Sequence, residues 1–338
     1  MTEKYPMFKS LPAVTIFFIG LIFVGVLHAK ETDNITGRYK QLEDSTDILD
    51  QEMNRRLKEL EEEANDQKIS CNKIRDFRIL FHELNGDRFF IGSMESWAED
   101  EDKVAKRSTS AHDSVYEGVL NNGWIFNRLK LSSTIKVNGQ LIGTDKLGHF
   151  LDQGFEFYTP YRTSGYDIDV AMRGSIGSER TYSGGSSTGT ISYSDSVANY
   201  HGIHFYHNLA EGQHPYFTCS NGKWQQIRPF KFSEYVDAAW DEGINCSQIS
   251  SADSKVRYEQ NIAALEQKAQ ASGKDQKYKC PADINSCLAI VDRYATVSSF
   301  TVSPECKDAA KAYRQNLKNS GGSQNSKPKS GAAQPGRR

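Results

Sequence analysis

The chain has 338 residues, with 41 Lys and Arg against 43 Asp and Glu, and a formal net charge of −2. A balance this close to neutral gives no basis for binding nucleic acid; the one basic stretch is the tail after Lys318, where Lys327, Lys329, Arg337 and Arg338 sit among small and polar residues without an acid. Six cysteines, Cys71, Cys219, Cys246, Cys280, Cys287 and Cys306, argue for disulfides in an oxidising compartment, and because none stands in C-x-x-C spacing they argue against a zinc ribbon or a thioredoxin-type site.

Residues 1–29 read as a secretory signal, because Lys4 and Lys9 precede an apolar run from Ala13 to Leu27 and the small Ala29 closes it. The rival is an uncleaved inner-membrane anchor over residues 13–27, since the bulky Leu27 lies close to the cleavage point. Residues 30–70 form a charged amphipathic segment in which Leu42, Ile48, Leu49, Met53, Leu57 and Leu60 recur at helical spacing, with a break at Asp44 or Ser45. This stripe either docks on the domain or serves as a coiled-coil oligomerisation arm. Residues 71–215 are read as the main helical domain, opening with a helix over Ile74–Leu84 that ends at the turn signal Asn85-Gly86.

Ser133 to Ile142 alternates around Asn138-Gly139, which predicts a hairpin, and Thr144 then caps a helix that starts at Asp145. Tyr161 to Thr190 is rich in Gly, Ser, Thr and Arg and reads as a long functional or poorly ordered loop. Residues 216–318 form a cysteine-containing region: a hairpin around Asn221-Gly222, a helix over Ser233–Glu242, and helices over Ser254–Ala271 and Ala282–Tyr294. Cys219 and Cys246 bracket the hairpin and the first of these helices, so they are the expected disulfide pair. The remainder, 319–338, is expected to be a disordered basic tail. The fold class is therefore mainly α, or α+β, with two or three short hairpins and disulfides.

The chemistry concentrates in two segments, Asp145-Lys-Leu-Gly-His149-Phe150 and Asp195-Ser-Val-Ala-Asn199-Tyr-His-Gly202. At ~100° per residue, His149, Asp152 and Glu156 share a stripe with Asp145, while Asn199, Gly202 and Tyr206 share one with Asp195. Two such stripes are able to meet, and Gly202 would admit a second backbone. The bland alternative is that both stripes face water and that Ser192-Tyr-Ser-Asp195 is a capping box. If a site exists, His149 beside Asp145 is suited to general-base work, and Asp152, Glu156 and Asp195 offer oxygens for a divalent metal. His201, His204 and His207 fan out on the opposite side of their helix and read as a surface or interface cluster; Trp240 reads as core, and Asp241 beside Glu242 as no acid-base pair.

The pattern D-K-x-x-H-F followed by D-x-x-A-N-x-x-G resembles that of VanZ-like membrane proteins and of the small YfiM envelope lipoproteins. The matching positions are Asp145, Lys146, His149, Phe150, Asp195, Ala198, Asn199 and Gly202, and the resemblance makes Glu156 and Arg180 equivalents of an intervening acid and arginine. It implies a bacterial cell-envelope setting more than a mechanism. It departs from the membrane-embedded pattern, because nothing after Leu27 is long and apolar enough to span a bilayer.

The expectation is thus an exported protein, periplasmic, surface-located or secreted, that binds or supports an envelope component around a polar two-helix seam. The rivals are a metal-dependent or acid-base hydrolase of an envelope lipid, phosphate or glycan using His149, Asp145, Asp195 and Asn199, and a membrane-anchored coiled-coil adaptor. Contact with a membrane would come only through an uncleaved N-terminal segment.

Overall fold

The computed structural model describes residues 31–85, 93–119, 131–181, 184–185 and 188–321. The expected signal or anchor over 1–29 lies outside the described residues, as do Gly86 and residues 322–338 of the tail. Among the described residues no helix is long and apolar enough to cross a membrane.

Helix α1, Thr46–Asp66, starts where Asp44 and Ser45 break the charged segment and buries Leu49, Met53, Leu57, Leu60 and Ala64 in one continuous stripe. The stripe docks on the body of the protein, the first of its two expected roles. Helix α2, Ile74–Asn85, packs against α1 and carries Phe77, whose ring stacks on Trp224 at 3.9 Å. Helix α3, Met94–Asp100, is capped by the Ser93 hydroxyl, which accepts from the Ser96 amide.

A three-stranded antiparallel ribbon follows, made of β1 (Lys106–Arg107), β2 (Thr134–Val137) and β3 (Gln140–Gly143), in that order. Asn138 and Gly139 both take positive φ, 49° and 78°, the two-residue turn whose twist suits a hairpin. The hairpin leads straight into α4, Asp145–Gly148, which passes through a π-helical turn, His149–Gln153, into α5, Gly154–Thr163.

The expected loop over Tyr161–Thr190 instead contains helix α6, Ile168–Arg180. Its Gly and Ser content hides an apolar spacing, Ala171, Met172 and Ile176, that packs inward, and Asp167 caps it by accepting from the Asp169 amide. Strand β4, Thr190–Ile191, precedes α7, Tyr193–Asn208, a helix buried on nearly every side. Helices α5 and α7 cross where Gly154 meets Gly202. A Cβ on Gly154 would lie 2.6 Å from Gly202 Cα, and one on Gly202 would lie 2.1 Å from the Phe150 carbonyl oxygen. Gly202 therefore does admit a second backbone, as its place in the motif suggests.

The hairpin of β5 (Phe217–Ser220) and β6 (Lys223–Gln226) forms around Asn221-Gly222 as expected. The helix expected over Ser233–Glu242 does not form. Two 3-10 turns, Phe232–Glu234 and Ala238–Trp240, flank an extended Asp237 whose carboxylate accepts from the Ala239 amide. The gain is aromatic packing: Phe230, Phe232, Tyr235 and the fully buried Trp240 gather around Phe150. Strand β7, Gln248–Ile249, pairs with β4, and helices α8 (Ala252–Ala271), α9 (Ile284–Arg293), α10 (Ser298–Thr301) and α11 (Pro304–Gly321) complete the chain. The last helix runs past residue 319, so the tail begins later than its composition suggests.

All six cysteines are paired, but the expected Cys219–Cys246 bond is not formed. The bonds are Cys71–Cys219, Cys246–Cys280 and Cys287–Cys306. Cys71, in the turn between α1 and α2, claims Cys219 because the β5–β6 hairpin packs on α1 rather than on the segment after it. One apolar core draws on residues from Leu49 to Cys306, so the sequence divisions at 70 and 215 do not separate cores; a smaller one joins Ile35, Val115 and Tyr116 to Ile262 of α8.

Candidate functional site

The two motif stripes face each other and are buried. Lys146 Nζ, on a side chain with no exposure, lies 2.8 Å from Asp145 Oδ2, 2.5 Å from Asp195 Oδ1 and 2.7 Å from Glu242 Oε1. The ammonium thus joins its own helix, α7 and the irregular segment after Trp240. His149 Nε2 is 3.0 Å from Asp195 Oδ2, and its Nδ1 is 3.3 Å from Asn199 Oδ1. The Asn199 amide nitrogen donates to Gln153 Oε1 and to Ser175 Oγ, both at 3.0 Å, which leaves Asn199 Oδ1 as the acceptor for the His149 ring.

Local structure explains how these groups arrive. The Ser192 hydroxyl caps α7 by accepting from the Asp195 amide, and the same hydroxyl reaches the Asp195 and Glu242 carboxylates at 3.0 and 2.9 Å. Gly143 is required because a Cβ there would sit 1.9 Å from both Asp145 Oδ1 and Thr32 Oγ1, atoms that are themselves hydrogen-bonded at 2.6 Å. Tyr116 donates to Glu242 Oε2 at 3.3 Å. Ser192 therefore supplies the N-cap half of the expected capping box, while the Asp195 carboxylate is spent on the Ser192 hydroxyl, Lys146 and His149, so the cap coexists with the site.

The remaining expected residues divide. Asp152 is half-buried near Tyr206, away from the ammonium. Glu156 is exposed, because the π-helical turn widens the helix after His149 and rotates later residues off the stripe. Arg180 is exposed beside Tyr193, and Tyr206 is buried among Phe81, Phe155 and Phe205. Lys146 and His149 make their contacts with none of these four. His201 is no surface residue either: it is buried with Nε2 2.7 Å from the Tyr294 hydroxyl, although it lies on the far side of α7 as expected.

Three carboxylates escaped the sequence reading. Glu242 was set aside with Asp241 as a helical neighbour pair, and without that helix its side chain turns to Lys146. Glu179 lies four residues after Ser175 on α6, a spacing that would have placed both on the inward face had that helix been recognised. Glu31 has no sequence signal; it is buried and accepts from the Thr188 hydroxyl.

Five buried carboxylates, Glu31, Asp145, Glu179, Asp195 and Glu242, thus surround two basic groups, Lys146 and His149. Burial opposes charge on His149, but the Asp195 carboxylate more than offsets it and raises the imidazole to about 10. Burial likewise works against Lys146, which Asp145, Asp195 and Glu242 nevertheless lift well above its ordinary range. Burial also opposes ionisation of Asp195, yet His149 and Lys146 hold it well below the usual carboxylate range. The excess acids respond oppositely. Burial, with Asp195 next, pushes Glu179 up to about 8; burial, opposed by Lys146, takes Glu242 to about 7; and burial, with Glu242, raises Glu31 well above its ordinary value.

Among the described residues, Asp145, His149 and Asp195 each bring one ligand-type atom within 4.8 Å of the other two, a grouping able to hold a metal. Two surface clefts, of about 510 and 270 Å³, are lined by none of the clustered carboxylates, Lys146 or His149. Comparison with known proteins gave no match to a family model, to a curated sequence or to a solved structure.

Proposed function

We propose that this chain is an exported protein of the bacterial cell envelope with a binding or supporting role, whose two-helix seam is an electrostatic clasp that holds its binding surface in one arrangement. The observation that carries the reading is the position of Lys146: a fully buried ammonium held between Asp145, Asp195 and Glu242, from three segments of chain. An ammonium taken out of water is tolerated only when its partners are fixed, and removing one partner leaves a buried charge uncompensated. The three disulfides suit an oxidising, exported compartment, and the motif pattern resembles the VanZ-like and YfiM-like envelope families. The His149–Asp195 pair has the chemistry of a general base; its burial in one network with Lys146 is what favours the supporting role over the hydrolase.

The test is thermal unfolding of His149→Ala and Asp195→Ala, singly and together. A clasp predicts losses of about 1 to 3 kcal/mol for each partner left unsatisfied, with the double variant losing less than the sum. Unchanged or raised melting points in both single variants would overturn it, since residues held in place for catalysis often cost stability.

A further inference from the structure

We infer that the His149 end of the seam is a binding site for one divalent transition-metal ion of the zinc or manganese type, held by Asp145, His149 and Asp195, with the buried carboxyl of Glu179 adding to the field around it. This deepens the clasp reading and rests on its preorganised geometry. The first observation is the spacing already described, with one ligand atom from each of Asp145, His149 and Asp195 inside a 4.8 Å sphere of mutual distances. A carboxylate and imidazole set of this kind suits first-row divalent ions.

The second observation points independently to a missing partner. Glu179 is 1 % exposed, and its Oε1 has no hydrogen-bond partner. The charged groups that act on this carboxyl are Asp195, then His149, Lys146 and Asp145, the same groups that make up the cluster. A buried acceptor left without a donor costs free energy, and Glu179 Oε1, like Glu31 Oε2 of the same cluster, calls for an ion or a proton.

The third observation is the orientation of the imidazole. The Asn199 amide is fixed by Gln153 and Ser175, so its oxygen takes the His149 Nδ1 proton and aims Nε2 at Asp195 Oδ2. This is the second-shell arrangement that sets a metal-binding histidine in its tautomer. With Nδ1 donating, the Nε2 lone pair of a neutral ring would face a carboxylate oxygen. Something positive must stand between them, either a proton or a metal. Lys146 uses Asp195 Oδ1 and Asp145 Oδ2, and Thr32 donates to Asp145 Oδ1, while Asp195 Oδ2 faces the imidazole; an ion would sit between His149 Nε2 and Asp195 Oδ2 and share Asp145 with the ammonium. Metal entry therefore replaces the Nε2 proton of His149, which leaves to solvent as the Nε2–metal bond forms. The π-helical turn beginning at His149 is a rare backbone feature that gathers at functional sites.

The test takes the full chain recovered from an oxidising compartment and stripped with a chelator. It is titrated calorimetrically with Zn²⁺, Mn²⁺ and Ca²⁺, and bound metal is counted by elemental mass spectrometry. The expected result is one Zn²⁺ or Mn²⁺ per chain with release of about one proton, and at least about tenfold weaker Ca²⁺, which prefers an all-oxygen set. Glu179→Gln keeps the shape of the side chain, and it is expected to weaken binding by about 10- to 100-fold. Asp195→Asn should abolish binding; if that variant fails to fold, Glu179→Gln decides. The inference is overturned if folded wild-type protein shows no saturable binding up to about 1 mM metal, or if binding survives undiminished in Glu179→Gln. Metal-free Lys146→Met separates the two readings, because it loses stability if the clasp is real whether or not an ion binds.

Discussion

At the scale of single residues, a protein that buries Lys146 among three carboxylates must lose heavily when the ammonium goes. Lys146→Met leaves Asp145, Asp195 and Glu242 mutually repelling in a dry site, and the expected destabilisation is about 3 to 5 kcal/mol by urea unfolding. The same cluster sets the pH dependence of the metal-free protein. Glu179 rises from 4.5 to about 8 on folding, so the folded state holds more protons and stability falls as pH climbs between those values. Glu242, raised from 4.5 to about 7, has the same sign. His149 rises from 6.5 to about 10, so its contribution is complete below 6.5 and disappears as pH passes through about 10. Asp195 works the other way: its lowered value contributes above 3.8 and is lost in stronger acid. Thermal melting at fixed ionic strength should therefore show greatest stability near pH 4 to 5 and a steady decline toward pH 9. Glu179→Gln should flatten the part of that decline between pH 4.5 and 8.

At the scale of elements, the seam depends on how closely α5 and α7 approach. Gly202→Ala would push a methyl group to 2.1 Å from the Phe150 carbonyl oxygen, a backbone atom that cannot turn aside as a flexible side chain would. The helices must then separate at the turn that carries His149. A loss of about 2 to 4 kcal/mol is expected in denaturant titrations, larger than an ordinary surface change. By contrast, Gly139→Ala meets no atom within 4 Å and is strained only by its positive φ of 78°, so about 1 kcal/mol is expected there. Equal losses at the two glycines would show that close packing at the crossing is not what requires Gly202.

At the scale of the whole molecule, Cys71–Cys219 closes the longest loop, with a sequence separation of 148, and ties the α1–α2 turn to the β5–β6 hairpin. Replacing that pair by Ser should cost about 2 to 5 kcal/mol. In protein from its native compartment, no thiol should react with alkylating reagent before reduction, and six should react afterwards. Much of the architecture was legible locally. The periodic stripe of α1, the Asn-Gly turns of both hairpins, the Ser192 cap and the shared face of Asp195 and Asn199 all follow from short-range rules, because helical pitch and turn stereochemistry act within a few residues. Gly and Ser content concealed α6, whose helical spacing counted for more than its composition, and aromatic packing around Phe150 broke the helix expected over Ser233–Glu242. The sequence by itself determined a disulfide-bonded, mainly helical protein with two polar motif stripes able to meet. Only the tertiary structure decided that the stripes meet in a buried cluster, that Cys71 takes Cys219, and that Glu31, Glu179 and Glu242 join Lys146. The reason is physical: local pattern fixes which face of a helix is polar, but which distant carboxylate neutralises a buried ammonium depends on how the chain closes on itself.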